Sequence, residues 1–288
     1  MNVITDFDPW KSKLCTCPKK YSFSPYTGCY HGCIYCYVTY IPNFGFVRPK
    51  KDLISRLRRD LSKIENNALI SMSNSSDPYP PMEKDFKLTR KALMMLSSAN
   101  LRILILTKSD IVKRDADLLS KMKAAVSITI TTLESDKAGK MEPNAPDPIK
   151  RLKALKYLKS SGIPVILRLD PILPLLTEED VEEVLEKCKF VDHVVTSTLK
   201  IKPIIYKRII KVFPELKHPY KELYFVKGEK IGGSYYLPLS LRKKILEKVR
   251  KVCNELGLSV AFCREGISFN AVSCDGSHLT TKDFNTKR

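Results

Sequence analysis

Short β-branched or wholly apolar runs alternate along the chain with longer stretches in which apolar residues recur every three or four positions, the pattern of repeated βα units. The runs at 22–26, 68–73, 101–107, 126–131, 164–169, 191–197 and 258–262 read as strands. Several are apolar throughout, as parallel strands covered on both faces should be. Between them, 50–66, 87–99, 114–124, 147–161, 178–189 and 240–256 read as helices. Asp147 before Pro148 predicts a helix start, and Gly162 with Pro164 a stop. Thr177 ahead of Glu178, Glu179 and Asp180 predicts another start, while Ser240 and Gly257 bracket the last long helix. Six or seven such units predict an α/β fold, a partial (β/α)6-type TIM barrel whose chemistry lies at the carboxyl ends of its strands.

Two segments break the rhythm. Residues 1–20 read as an irregular lead-in, and 199–239 is broken by prolines, with nine Lys/Arg against three Glu and seven Tyr/Phe. The expected organisation is a lead-in (1–20), a barrel core (21–198), and a basic, aromatic segment with a βα extension on the same barrel (199–288). With 288 residues, 43% hydrophobic and 28% charged, the chain is expected to bury a sizeable core, which excludes disorder and collagen-like fibres. A net charge of +19 makes nucleic acid or an anionic surface a candidate partner, against the alternative of a lysine-rich surface with no such meaning. The start carries no basic and apolar leader, and no run of 18 apolar residues occurs, so the expectation is a cytoplasmic protein that does not enter membranes.

The nine cysteines are clustered, five of them between Cys15 and Cys36. Cys29, Cys33 and Cys36 form a Cys-x3-Cys-x2-Cys loop just after the first strand candidate. Three soft thiolates in a glycine-bearing loop suit an iron–sulfur cluster or zinc. A Cys3His zinc site using His31, or thiols that merely pack, are the alternatives.

That loop, placed after the first barrel strand, resembles the signature of the radical S-adenosylmethionine (SAM) superfamily. Further stretches are similar to its spore photoproduct lyase branch, the DNA repair photolyase-like proteins: KYSFSPYTGC ending at Cys29, SDPYPPME from Ser76 to Glu83, LTKSD around Lys108, SITITT around Thr129, EPNAP from Glu142 and RLDPI from Arg168. The resemblance implies a barrel of the radical SAM type, with Cys29, Cys33 and Cys36 holding a [4Fe–4S] cluster. One iron is left open for SAM, whose reductive cleavage yields a 5′-deoxyadenosyl radical that removes hydrogen from a substrate. It further implies SAM contacts from Tyr37, Ser76, Asp77, Lys108, Thr129 and Arg168, with Lys108 suited to the SAM carboxylate, and a weaker expectation for Glu83. Tyr35 and Tyr37 match tyrosines that support radical transfer, the catalytic candidates here. Ser75 stands where that lyase carries a hydrogen-donating cysteine, so direct reversal of a thymine photoproduct is not expected by that route. The implied partners are SAM, DNA or RNA, and a donor such as ferredoxin or flavodoxin. A small-molecule, lipid or peptide substrate, or a non-catalytic Fe–S or zinc nucleic-acid binder, are the competing readings.

Cys15, Cys17, Cys263 and Cys274 make a second set, the last opening Cys-Asp-Gly-Ser-His278, the short motif of a [2Fe–2S] family. If barrel closure joins the chain ends, these four are candidates for a second cluster or zinc. Otherwise they are packing thiols. Lys200, Lys202, Lys207, Arg208, Lys211 and Lys217 interleave with Tyr206, Phe213, Tyr220, Tyr224 and Phe225, a composition suited to phosphates and stacked bases or to a solvated lysine face.

Overall fold

A computed structural model describes residues 2–7, 12–38 and 41–281. Eight strands form one sheet in chain order: β1 (Ile4–Asp6), β2 (Tyr21–Phe23), β3 (Leu69–Met72), β4 (Arg102–Thr107), β5 (Lys123–Thr129), β6 (Val165–Ile172), β7 (His193–Thr198) and β8 (Val260–Phe262). β2 to β8 run parallel, joined by helical crossovers, and β1 adds an antiparallel edge to β2. The expected strands are all present. The lead-in expected to be irregular contains β1, because Val3 and Ile4 donate their amides to the buried carboxylate of Asp60 at 2.5 and 3.1 Å and so settle beside β2.

Alternation along each strand splits the apolar core in two. Ile70, Met72, Ile103, Ile105, Val126, Ile128, Val165, Leu167 and Val194 face outward into a large core under the helices. Leu69, Leu104, Ala125, Ile166 and Val195, the alternate residues, face inward and pack on Leu279. Leu279 comes from a 3-10 turn, Ser277–Thr281, seated against β4 and β5, so it forms a floor under the barrel interior. Gly276 sets up that turn at φ +79°, where a β-carbon would fall 2.4 Å from the Ile166 side chain, so close packing and backbone both require glycine.

Local signals account for some helix ends and miss others. Asp147 accepts the Ile149 amide at 2.8 Å and starts helix Pro148–Ser160, as expected. Thr177 instead closes the preceding turn by accepting from the Leu173 amide, and the next helix starts later, at Val181. The last long helix, Leu239–Glu255, begins after Pro238, which leaves Ser240 inside it. The expected helix at 114–124 is shorter than predicted: a 3-10 turn runs over Asp110–Asp115, an α-turn over Ala116–Leu119, and β5 already starts at Lys123.

Segment 199–239 holds helix Pro203–Val212 and a small hairpin, Glu229–Ile231 with Ser234–Tyr236. Its aromatics are spent largely on packing. Tyr220 and Tyr224 are buried and donate to the carbonyls of Pro174 and Leu199, Phe213 is buried, and Phe225 lies edge-on between Tyr206 and Tyr235. The base-stacking reading is therefore corrected for Phe213, Tyr220 and Tyr224, which hydrophobic burial claims, while Tyr206 and Phe225 are half-buried. Among the described residues no helix is long and apolar enough to cross a membrane.

His193 at the foot of β7 is fully buried, shares a 2.9 Å hydrogen bond with Ser259 and lies edge-on to His278. Burial, with the neighbouring His278, pushes its pKa down to about 4. The unfolded chain then binds the extra proton between pH 6.5 and 4 while the native state does not, so stability falls as pH is lowered through that window. Urea unfolding at stepped pH is expected to show a loss of roughly 3 kcal/mol there, and His193→Gln should flatten it.

Candidate active site at the carboxyl ends of the strands

The loop that follows β2 is shaped by its backbone. A short ladder pairs Tyr26–Thr27 with Arg48–Pro49, and Gly28 turns at φ +84°, where a β-carbon would stand 2.6 Å from the Phe46 carbonyl. Cys29 donates its amide to Phe44, Cys36 to Cys33, and Ile34 to Met141. Cys33 is buried, and Cys29 and Cys36 are half-buried. All three thiols lie within electrostatic reach of the Lys108 ammonium at the end of β4. Burial pushes the Cys29 thiol up to about 12 and raises Cys33 and Cys36 as well. Free thiols here stay protonated at neutral pH, and a soft cationic group is what would draw them into thiolate form. This donor set fits a cluster held by three cysteines. His31 is buried between two of these cysteines in sequence, with Nε2 donating to Asp77 at 2.8 Å and Nδ1 without a hydrogen-bond partner.

Two buried carboxylates fix the loop to the sheet. Asp77 accepts from His31, from the Thr107 hydroxyl at 2.8 Å, from the Lys108 amide at 2.8 Å and from the Tyr79 amide at 2.9 Å. Burial opposes its charge, but His31 and these donors prevail and hold it below the usual carboxylate range. Glu142 accepts the Tyr35 hydroxyl, pairs with Arg151 at 2.5 Å and lies 3.9 Å from the Lys108 ammonium. Arg151 and Lys108 likewise outweigh burial and keep Glu142 ionised. Sequence reading missed Glu142 as a site residue, since nothing in Glu-Pro-Asn-Ala-Pro marks a carboxylate for burial.

The other expected residues fall into two groups. Ser127, Thr129, Arg168 and Asp170 continue the inward-facing series of β5 and β6 above the apolar floor, and Lys108 comes two residues after the inward Leu106. Arg168 pairs with Asp170 at 2.6 Å and reaches the Cys263 sulfur at 3.8 Å. Tyr37, 41% exposed, hydroxyl-bonds the Asn74 carbonyl and lies near Arg168 and Arg264. Ser76 shares a 2.5 Å hydrogen bond with Ser24, and Ser75 is exposed beside it. These residues surround one mouth. Tyr35 is buried, with its hydroxyl on Glu142 and its ring 5.5 Å from the Lys108 ammonium, and Glu83 is fully buried, tying Tyr26 and Arg114 together. Exposed rings do occur nearby, at Tyr30 and Phe46 of the cysteine loop, where sequence reading did not look for them.

The chain belongs to the radical SAM superfamily, whose sequence profile matches residues 23–188, and it is an enzyme of that type. It is 37% identical over 178 residues to an uncharacterized protein of Methanocaldococcus jannaschii, covering 59% of this chain and 66% of that one. It is 23% identical over 255 residues to a protein of Pseudomonas phage M6 named radical SAM Nalpha-GlyT isomerase, covering 84% of this chain and 53% of that one. The chain thus spans under two thirds of either relative's length. Its fold is similar to that of spore photoproduct lyase complexed with dinucleoside spore photoproduct, with a TM-score of 0.67 and 16% identity over 90% of this chain and 79% of that one. A variant of the same lyase with bound AdoMet gives a TM-score of 0.65. The superfamily implies SAM and a [4Fe–4S] cluster.

Asp77→Asn should place an amide among four donors and strip His31 of its partner. The expected result is a loss of about 3 kcal/mol in stability, with less iron retained per chain after anaerobic reconstitution, read by iron analysis and thermal melting.

Proposed function

We propose that this enzyme uses a [4Fe–4S] cluster on Cys29, Cys33 and Cys36 to act on a nucleic acid by hydrogen abstraction, as repair or as base modification. The observation that supports it is the meeting of the three loop thiols with Lys108 and Arg168 at one mouth that is also flanked by Arg208 and Arg264. Bound there, the cluster and SAM would supply a 5′-deoxyadenosyl radical once a low-potential donor of the ferredoxin or flavodoxin kind delivers one electron. The chain's own residues bind and orient. Lys108 carries a charge that burial disfavours but that Cys33 in its thiolate form and the Glu142 carboxylate sustain, which suits a carboxylate partner such as that of SAM. Ser76, Thr129 and Tyr37 line the same mouth, and Arg168 is held ready by Asp170. Asp77 acts as a positioning residue, through His31 and the Lys108 backbone. Tyr37 is the exposed tyrosine of the pair, so a radical relay would run through it and not through Tyr35, whose hydroxyl Glu142 holds.

The net charge of +19 and the cationic mouth favour a polyanionic substrate. Tyr30, Tyr37 and Phe46 offer rings on which an unstacked base can lie. Ser75 in place of a thiol argues against direct reversal of a thymine photoproduct, because a serine O–H bond is too strong to return hydrogen to a carbon radical.

The test is anaerobic: cluster reconstitution, SAM and dithionite, with 5′-deoxyadenosine measured by chromatography. Wild type should form it and Cys33→Ala should not, while Lys108→Met should raise the SAM requirement by about 10- to 100-fold, the worth of a charge-assisted hydrogen bond. Binding of single-stranded DNA or RNA should weaken steeply with salt and with Phe46→Ala. Retention indifferent to salt would sink the nucleic-acid reading and leave the SAM chemistry standing.

A further inference from the structure

The open sheet has two edges, β1 and β8, and the seam between them is bridged by side chains. Cys17 from the lead-in and Cys274 from the segment after β8, 257 residues apart, bring their sulfurs to 3.4 Å. Cys15 hydrogen-bonds Cys17 through its side chain, and Cys263 at the end of β8 lies within electrostatic reach of both. Beside them, Lys20 and Asp275 form a buried ion pair at 2.5 Å across the same seam.

Thiols that only pack look different in this molecule. Cys188 and Cys253 are fully buried, each within the large apolar core. The seam thiols instead lie among cations: Lys20 near Cys17 and Cys274, and Arg168 and Lys200 near Cys263. Each of these cations also holds a carboxylate, Lys20 with Asp275, Arg168 with Asp170 and Lys200 with Glu265, so the seam is a polar, charged setting and not an apolar one. The 3.4 Å separation of Cys17 and Cys274 is too long for the roughly 2.05 Å bond of a disulfide. It is close to the edge of about 3.8 Å that 2.3 Å metal–sulfur bonds give in a tetrahedron. The four residues come from three separate stretches of chain, and Cys263 also lies 3.8 Å from the Arg168 guanidinium of the mouth.

We propose that Cys15, Cys17, Cys263 and Cys274 form a second metal centre, a soft thiolate-held zinc ion or iron–sulfur cluster that fastens the seam of the barrel. Each thiol loses its proton as it takes the metal, with no change in oxidation state. Among the described residues no three His, Cys, Asp or Glu side chains already stand in ion-holding geometry, and that is as true of Cys29, Cys33 and Cys36 as of the seam. In both places the thiols close on the metal as it binds.

The test uses the full chain carrying Cys29→Ala, Cys33→Ala and Cys36→Ala, which removes the loop cluster and makes the result independent of SAM chemistry. Zinc, iron and acid-labile sulfide are measured after anaerobic purification. The expected result is about one zinc without sulfide, or about two to four irons with matching sulfide, lost when Cys17→Ser and Cys274→Ser are added. Circular dichroism checks that the added changes leave the chain folded. Cys263→Ser alone, which spares the Cys17–Cys274 pair, should speed removal of the metal by a chelator. Three results would overturn the proposal: a loop variant that carries no metal, metal that persists without Cys17 and Cys274, or a Cys17–Cys274 disulfide found by mass spectrometry under anaerobic conditions.

Discussion

Burying an ionised carboxylate is tolerable only when its oxygens are fully engaged, and the site hangs on that constraint at Asp77. Among the described residues the loop carrying Cys29, Cys33 and Cys36 forms no ladder with the main sheet; its two-residue pairing at Tyr26–Thr27 is a separate sheet with Arg48–Pro49. Its grip on the sheet comes from His31 on Asp77 and Tyr35 on Glu142. Each carboxylate also engages Lys108, Asp77 through its backbone amide and Glu142 through its ammonium. A residue positioned from both sides in this way has little freedom to follow solvent, which is what the proposed pairing of Lys108 with a ligand carboxylate needs.

Inward-facing positions change character along each strand. Leu69 gives way to Ser71, Ala125 to Ser127 and Thr129, and Ile166 to Arg168 and Asp170. The outward-facing series is mostly apolar, with threonines entering only toward the carboxyl ends of β4 and β7, at Thr107, Thr196 and Thr198. One strand thus supplies a packed floor and a polar mouth by changing chiefly its alternate residues, the reason a barrel of this kind keeps its stability and its chemistry at opposite ends.

Much of this was legible in the sequence because it is local. Strands, the helix start at Asp147 and the cysteine loop are written in periodicity, caps and spacing. What was hidden depends on distant partners. Asp77 and Glu142 look like any loop carboxylate until His31, Tyr35 and Arg151 arrive from elsewhere in the chain. Tyr35 and Tyr37 flank Cys36 symmetrically in sequence, yet in space one is buried with its hydroxyl on Glu142 and the other is partly exposed with its hydroxyl on the Asn74 carbonyl. The basic, aromatic segment had the composition of a base-stacking surface, and composition does not reveal that Tyr220 and Tyr224 face inward. The meeting of Cys15 and Cys17 with Cys274 was readable only as a conditional, because it needs the sheet to curl until its edges approach.

The floor has a consequence for assembly order. Leu279 lies downstream of all eight strands, and Asp275 must reach back to Lys20, so neither the underside nor the seam can shut until nearly every strand has been synthesised. During that interval the cysteine loop is already complete while the cavity behind it is still open. Delivery of an oxygen-sensitive cofactor to a nascent or newly released chain would meet an unsealed vessel, and sealing would follow loading.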